Sequence, residues 1–124
     1  MPFAIRHLAD SGVVLVVSWG PLSVDDVRTA DTQARARAAE NGAARYLYDD
    51  RRAEIQFSFL DYFNLQESWE KVGFTPTDRV AIVLPENPRL RSEYEFFETI
   101  CLNRGLTVKM FESREDAQRF LTGP

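Results

Sequence analysis

One cysteine, one histidine and six glycines are all that this chain offers of the residue types from which many catalytic and metal centres are built. Cys101 has no partner for an internal disulfide, and His7 alone cannot make a histidine-type metal site. Nucleophilic triads need a base beside the nucleophile, and His7 lies on the first expected strand, far in sequence from Ser58 and Ser113. Neither GxGxxG nor GxxxxGK[ST] occurs, and Pro21 removes an amide donor from the turn Gly20-Pro21-Leu22-Ser23, which argues against a phosphate loop. A basic excess is missing too. Fifteen Lys and Arg stand against nineteen Asp and Glu, a net charge of -4, so nucleic acid is not an expected partner. No stretch approaches the ~20 apolar residues of a bilayer span, and residues Met1 to Asp10 lack the basic start and apolar run of a secretory leader. These absences lead to the expectation of a cytoplasmic chain with no membrane span, no cofactor, no metal and no catalytic residue.

What the chain has is core-forming material: 44% of its 124 residues are hydrophobic. That suits one domain, residues 1–124, burying roughly two thirds of the surface its unfolded form exposes. Phe3 to Leu8 and the β-branched run Val13 to Val17 flank the turn Asp10-Ser11-Gly12, so they pair as an antiparallel hairpin with the first strand near an edge. Ser23 and Asp26 form a capping-box pattern that opens a helix to about Glu40, stopped by Asn41-Gly42. Its inward stripe is small: Val24, Val27, Ala30, Ala34 and Ala38. Arg28, Arg35 and Arg37 are expected to face water, with Asp31 and Arg35 as a surface i,i+4 pair.

The middle of the chain organises the rest. Arg45-Tyr46-Leu47-Tyr48 is a strand ending in the polar loop Asp49-Asp50-Arg51-Arg52, and a helix runs from Ser58 to Val72 with Gly73 closing it. Tyr62, Leu65, Trp69 and Val72 share one face of that helix, Phe59 lies at its margin, and Leu60 and Phe63 point away. Arg79 to Leu84 is a second buried strand. Asn87-Pro88 starts a helix whose core face is Leu90, Tyr94, Phe97 and Cys101, with Phe96 off that face. A thiol there behaves as a small hydrophobe. Leu106 to Phe111 is the last strand, and Ser113 caps a short helix packing through Ala117, Phe120 and Leu121. The fold class is α/β: a mixed sheet of about five strands with about four helices, in the order β-β-α-β-α-β-α-β-α.

Carboxylates at a strand's C-terminal end can bind Mg²⁺ or accept a phosphoryl group, as in response-regulator receiver domains. Receiver domains also need an acidic pair after the first strand and a lysine at the end of the last. Here the second strand ends Ser18-Trp19-Gly20, and Lys109 lies inside its strand. Asp49 or Asp50 is therefore expected to accept loop amides or to pair with Arg51 or Arg52. Fifteen aromatic residues, nine Phe, four Tyr and two Trp, exceed what one core face takes. Leu60, Phe63 and Phe96 are the surplus, and a contiguous exposed apolar patch marks a partner surface or a ligand groove.

The element order, with the phrases Tyr46-Leu47-Tyr48-Asp49, Arg79-Val80-Ala81-Ile82-Val83, Tyr94-Glu95-Phe96-Phe97-Glu98 and Val108-Lys109-Met110-Phe111 followed by Glu115-Asp116-Ala117, resembles the SpoIIAA-like family. That family has the fold of STAS domains (sulfate transporter and anti-sigma-factor antagonist). In antagonists of this fold, a loop carrying Asp-Ser-Ser-Gly holds a serine that a partner kinase phosphorylates. Gln56-Phe57-Ser58-Phe59 falls at that place. Ser58 matches the serine and is the phosphorylation candidate, while the aspartate and the glycine have no counterpart; Ser58 also fits a plain N-cap. The fold is similar to lipid-binding Sec14-type domains as well, which gate an apolar site with a helix.

The expectation is a non-catalytic, regulatory module acting through protein contacts, with itself as homodimer or with another protein. Its surface would comprise Asp49, Asp50, Arg51, Ser58, Leu60, Phe63 and Phe96. A small apolar ligand or lipid beneath the loop is the alternative, and a metal-dependent enzyme using Asp49 and Asp50 the third.

Overall fold

The computed structural model describes residues 2–123. Five strands form one sheet: β1 (Phe3–Leu8), β2 (Val13–Leu22), β3 (Arg45–Ile55), β4 (Arg79–Val83) and β5 (Thr107–Phe111), side by side in chain order. β1 and β2 pair antiparallel as a hairpin, and every later pairing is parallel. The helices between and after them are α1 (Val24–Asn41), α2 (Phe59–Val72), α3 (Pro88–Asn103) and α4 (Arg114–Thr122). The expected element order and the edge position of the first strand are both present.

Capping chemistry sets where the helices begin. Ser23 and Asp26 close a full capping box on α1, Ser58 and Asp61 do the same on α2, and Asn87 with Pro88 opens α3. Gly73 ends α2 at φ 109°, and a Cβ built there would meet the Arg35 guanidinium at 3.1 Å. Backbone conformation favours glycine at that position, and an added Cβ would also press on the end of the Arg35 side chain.

Alternation along the strands divides the core into two layers. Val14, Val16, Tyr46, Tyr48, Val80, Ile82 and Val108 face α1, α2 and α3. Val13, Leu15, Leu47, Ala81 and Val83 face the other way, onto Ala117 and Leu121 of α4. The alanine stripe of α1 is fully or nearly fully buried at Ala30, Ala34 and Ala38, which brings that helix close to the sheet.

One expected boundary is corrected. β3 does not end at Tyr48; it continues to Ile55 through the charged run, because β2 also continues to Leu22 and supplies a partner throughout. The charges are tolerated because this part of the strand lies beyond β4, whose pairing with β3 stops at Asp49 and Val83.

Close approach of α1 to the sheet makes a steric prediction. Ala34→Leu is expected to destabilise the fold by about 1–3 kcal/mol through overpacking, measured as a lower urea midpoint with unchanged slope. A stability equal to wild type would mean that the α1 layer can move outward freely.

Candidate functional site

The C-terminal half of β3 carries a β-bulge. Val17 pairs with Asp49 and Trp19 with Arg52, so one residue of β2 spans two of β3. Tyr46 and Tyr48 face the three-helix layer, and after the extra residue Ala53 and Ile55 face it again. By alternation from Tyr48, Asp49 points away from the three-helix layer and Asp50 toward it, so the two have different surroundings. Asp49 is buried and accepts hydrogen bonds from Nε and Nη2 of Arg51, at 2.9 and 2.7 Å, with Arg114 of α4 at 3.8 Å. Burial works to raise its pKa, but hydrogen bonds from the Arg51 side chain and amide hold the carboxyl below its ordinary range. The expected Asp–Arg pairing is therefore Asp49 with Arg51, and Asp49 is not an exposed surface group.

Asp50 is half-buried and accepts a hydrogen bond from the Tyr94 hydroxyl at 2.8 Å. Burial, with the Asp49 charge adding to it, pushes its carboxyl up to about 6. Among the described residues, no three His, Cys, Asp or Glu side chains are grouped so as to hold a metal ion.

A residue assigned to the surface by sequence lies at the centre. Asp31 is fully buried. Its two oxygens accept the Tyr48 hydroxyl at 2.8 Å and the Trp69 indole N–H at 2.6 Å, so α1, β3 and α2 meet on one carboxyl group. Arg35 is not its surface partner. It is half-buried, donates to the Tyr46 hydroxyl at 2.6 Å and lies 5.7 Å from the Phe74 ring centre. The correction has a positional cause: Asp31 follows Val27 by four and precedes Ala34 by three, which is the inward stripe itself. Spacing was the available signal, and charge obscured it. Burial raises the Asp31 carboxyl to about 7 despite its two donors.

Between this layer and the sheet lies a chamber of about 60 Å³, walled by Tyr48, Phe57, Tyr62, Trp69, Tyr94 and Phe97 and reached by Asp31 and Asp50. It has room for one or two waters and is well below the ~150 Å³ of an apolar cavity that holds benzene. Cys101 is buried nearby in the same core layer, and burial pushes its thiol up to about 12, which keeps it protonated.

On the outside of α2 and α3 the aromatic surplus gathers. Phe96 meets Phe59 edge-to-face at 4.9 Å and Phe63 at 5.7 Å between ring centres. Phe59, Leu60 and Phe63 are 67%, 66% and 45% exposed. Phe59, expected at the margin of the core stripe, belongs to this cluster instead, because the first turn of α2 extends past the sheet's apolar cover.

Comparison with solved structures follows from this architecture. The anti-sigma factor antagonist SpoIIAA in its unphosphorylated form superposes with a TM-score of 0.57, over 98% of this chain and 99% of that one, at 16% identity. The chain has the SpoIIAA fold. An anti-sigma factor antagonist from Mycobacterium paratuberculosis gives 0.56, over 96% and 92% at 17% identity. The Bacillus cell fate determinant SpoIIAA in its phosphorylated form gives 0.50, over 93% and 95% at 17% identity. No protein-family model matches the chain, and no curated protein matches it by sequence.

In this SpoIIAA fold Ser58 is an N-cap. Its hydroxyl accepts the Asp61 amide at 3.2 Å while Asp61 accepts the Ser58 amide at 2.9 Å, and the residue is exposed. Of the expected surface residues, Arg51, Ser58, Leu60 and Phe63 are exposed, Phe96 is half-buried, Asp50 faces the chamber and Asp49 is covered. Among the described residues, no helix is long and apolar enough to cross a membrane.

The buried carboxyls set the pH dependence. The ordinary value for Asp31 is 3.8 and the folded value about 7, so between them the folded chain keeps a proton that the unfolded chain has released. Stability therefore falls as pH rises from about 4 to about 7. Asp50 acts in the same direction up to about 6. Asp49 acts in the opposite sense, and its contribution is lost only as pH falls through its depressed value. Asp31→Asn keeps the geometry, with its carbonyl accepting from Trp69 and its amide donating to the Tyr48 oxygen. Urea unfolding across this window is expected to show a wild-type slope on the order of 1 kcal/mol per pH unit, visibly flattened in the variant. An unchanged slope in Asp31→Asn would assign the titration elsewhere.

Proposed function

We propose that this chain is a non-catalytic, regulatory STAS-type module that works through protein contacts, with the outer face of α2 and α3 as its contact surface. One observation carries this proposal: the edge-to-face cluster of Phe59, Phe63 and Phe96, with Leu60 beside it, lies on the outside of a fold whose inner layers are already filled. Aromatic residues held rigidly at a surface lose little side-chain freedom on binding and supply large contact area, which is why they dominate interface energetics. The likeness to anti-sigma factor antagonists supports the regulatory class. Diverging surroundings for Asp49 and Asp50 favour a structural role for both over a metal-assisted reaction. Ser58, exposed at the start of α2 beside this surface, is the residue on which phosphorylation by a partner kinase would act.

A second copy of the chain is the simplest partner. Light scattering of the wild type is expected to give a mass above the monomer, and Phe63→Asp/Phe96→Asp a folded monomer with unchanged far-ultraviolet circular dichroism. A double variant that keeps the wild-type mass would exclude this face as the homodimer contact.

The alternative, a small apolar ligand beneath the loop, has the 60 Å³ aromatic chamber in its favour. At that volume a lipid would enter only if α2 moved outward. Native mass spectrometry of protein purified from cells is expected to show the bare chain. A reproducible adduct of a few hundred daltons, an order of magnitude for pocket-sized ligands, would establish the ligand reading in its place.

A further inference from the structure

We propose that the open edge of β1 is a second, weaker contact between copies of this chain. β1 pairs antiparallel with β1 of a second copy about a two-fold axis at Ile5, which joins two sheets into one. This goes beyond the aromatic surface and uses none of its residues.

β1 is an end strand of the sheet, six residues long, and pairs on one side only. The hairpin determines which of its backbone groups are free. The Trp19 amide donates to the Pro2 carbonyl at 3.0 Å, and the register that sets Phe3 against Ser18 sets Pro2 against Trp19. Bonded and non-bonded pairs alternate in an antiparallel ladder. Ala4, Arg6 and Leu8 therefore turn their backbone groups to β2, and Phe3, Ile5 and His7 turn theirs outward. An edge with unmet donors and acceptors is a template for a further strand unless something covers it. The opposite end of the sheet has such cover, since Glu98 of α3 accepts the Met110 amide of β5 at 2.8 Å. Among the described residues no side chain does this for β1. The far end of β3 lacks a β4 partner too, but it is shorter, and the start of α3 stands beside it across a cleft of about 650 Å³ bordered by Arg52, Asn87 and Arg89.

Self-complementarity selects the occupant. Hydrogen bonding requires outward residues to stand opposite outward residues, so the two-fold axis falls at Ala4, Ile5 or Arg6. An axis at Arg6 sets that guanidinium against its own copy, a like-charge pair. An axis at Ala4 leaves His7 and Leu8 beyond the start of the second β1. With the axis at Ile5, Ile5 meets Ile5, Phe3 meets His7 and Ala4 meets Arg6. Every outward group of β1 is then paired, and the arginine lies opposite a methyl group.

The outer face of the sheet supplies an independent reason. α4 packs on β3, β4 and β5, and Trp19 of β2 stays 43% exposed on that same face. Pro2 stands beside Trp19, and the Ile5 axis places Leu8 of the second copy opposite Pro2. Leu8, half-buried in the single chain, is then two strand spacings from Trp19, about 9.5 Å. An indole and a leucine side chain span that gap across the proline ring. The pairing thus covers an indole that the fold itself leaves open.

The test uses the full chain carrying Phe63→Asp/Phe96→Asp, so that the aromatic surface contributes nothing, in sedimentation velocity over rising concentration. A contact below standard interface size is expected to give a Kd on the order of 100 µM; the variant is monomeric when dilute and dimerises when concentrated. Ala4 is exposed, so substitution there spares the fold. Ala4→Glu, which faces Arg6 of the other copy twice by symmetry, is expected to tighten dimerisation by about threefold or more, and Ala4→Lys to weaken it by a similar factor. Hydrogen exchange is expected to slow with concentration at Phe3, Ile5 and His7 and to stay constant at Ala4 and Arg6. Equal effects of the two Ala4 substitutions would overturn the proposal. So would slow exchange at Phe3, Ile5 and His7 at every concentration, which describes a cover within one chain. If the dilute aromatic variant keeps the wild-type mass, the aromatic contact fails instead, and opposite shifts from the two Ala4 substitutions establish this edge as the contact.

Discussion

Three elements of the fold converge on the carboxyl group of Asp31. A group of this kind is costly to remove from water, and the cost is offset only if its hydrogen-bonding capacity is met inside. Tyr48 from β3 and Trp69 from α2 meet it, at distances that leave little play. One turn further along α1, Arg35 donates to Tyr46, two residues back along β3. Two residues of strand span about 6.6 Å and four of helix about 6 Å, so both rungs form with α1 antiparallel to β3. The tyrosine pair and the Asp31/Arg35 pair therefore fix the register of helix on strand, which an alanine stripe alone leaves free to slide. Trp69 is further held between Tyr48 at 5.8 Å and Phe74 at 4.8 Å, extending that fixed register to α2 and the turn after it.

The opposite face of the sheet is built on other terms. Among the described residues only α4, nine residues long, covers it, through Ala117 and Leu121. The remainder is shielded by side chains with apolar stems and charged ends. Arg79 lies 4.3 Å over the Phe120 ring, and Lys109 sits between Phe111 and Phe120 at 5.6 and 5.8 Å. Such contacts hide apolar surface while leaving the charge in water. This face can thus be finished by one short helix, and three longer helices are free to build the layer that bears the aromatic surface.

Element order along the chain, hairpin, helix starts and helix stops were legible in the sequence because each rests on local chemistry: β-branched runs, capping boxes, Asn87-Pro88, and glycines after the helices. The two-layer division was legible in part, since alternation in Val13 to Val16 implies two buried faces without saying which helices cover them. Leu60, Phe63 and Phe96 stood out because helical spacing left them no core position; Leu60 and Phe63 are exposed, while Phe96 is half-buried and packs against the rim of the core layer. Two things were hidden. The charged run Asp49 to Arg52 looks like a loop, and only the parallel partner supplied by β2 makes it strand. Asp31 looks like a surface residue, and only Tyr48 and Trp69, seventeen and thirty-eight residues away, make its burial tolerable. Both errors are of one type: a polar residue whose partner is remote in sequence carries no local mark.

The bulge in β3 links these observations. In an unbroken strand Asp49 and Arg51 share one side and Asp50 and Arg52 the other, which would point the Arg52 side chain at the core layer. One inserted residue turns Arg51 and Arg52 both outward and returns Ala53 and Ile55 to the interior. Arg51 then engages Asp49 near α4, Asp50 is left alone with Tyr94, and Arg52 is free at the cleft. Ordinary alternation already separates the two adjacent carboxylates, and the irregularity closes the core beyond them and leaves the far end of the strand exposed as an edge.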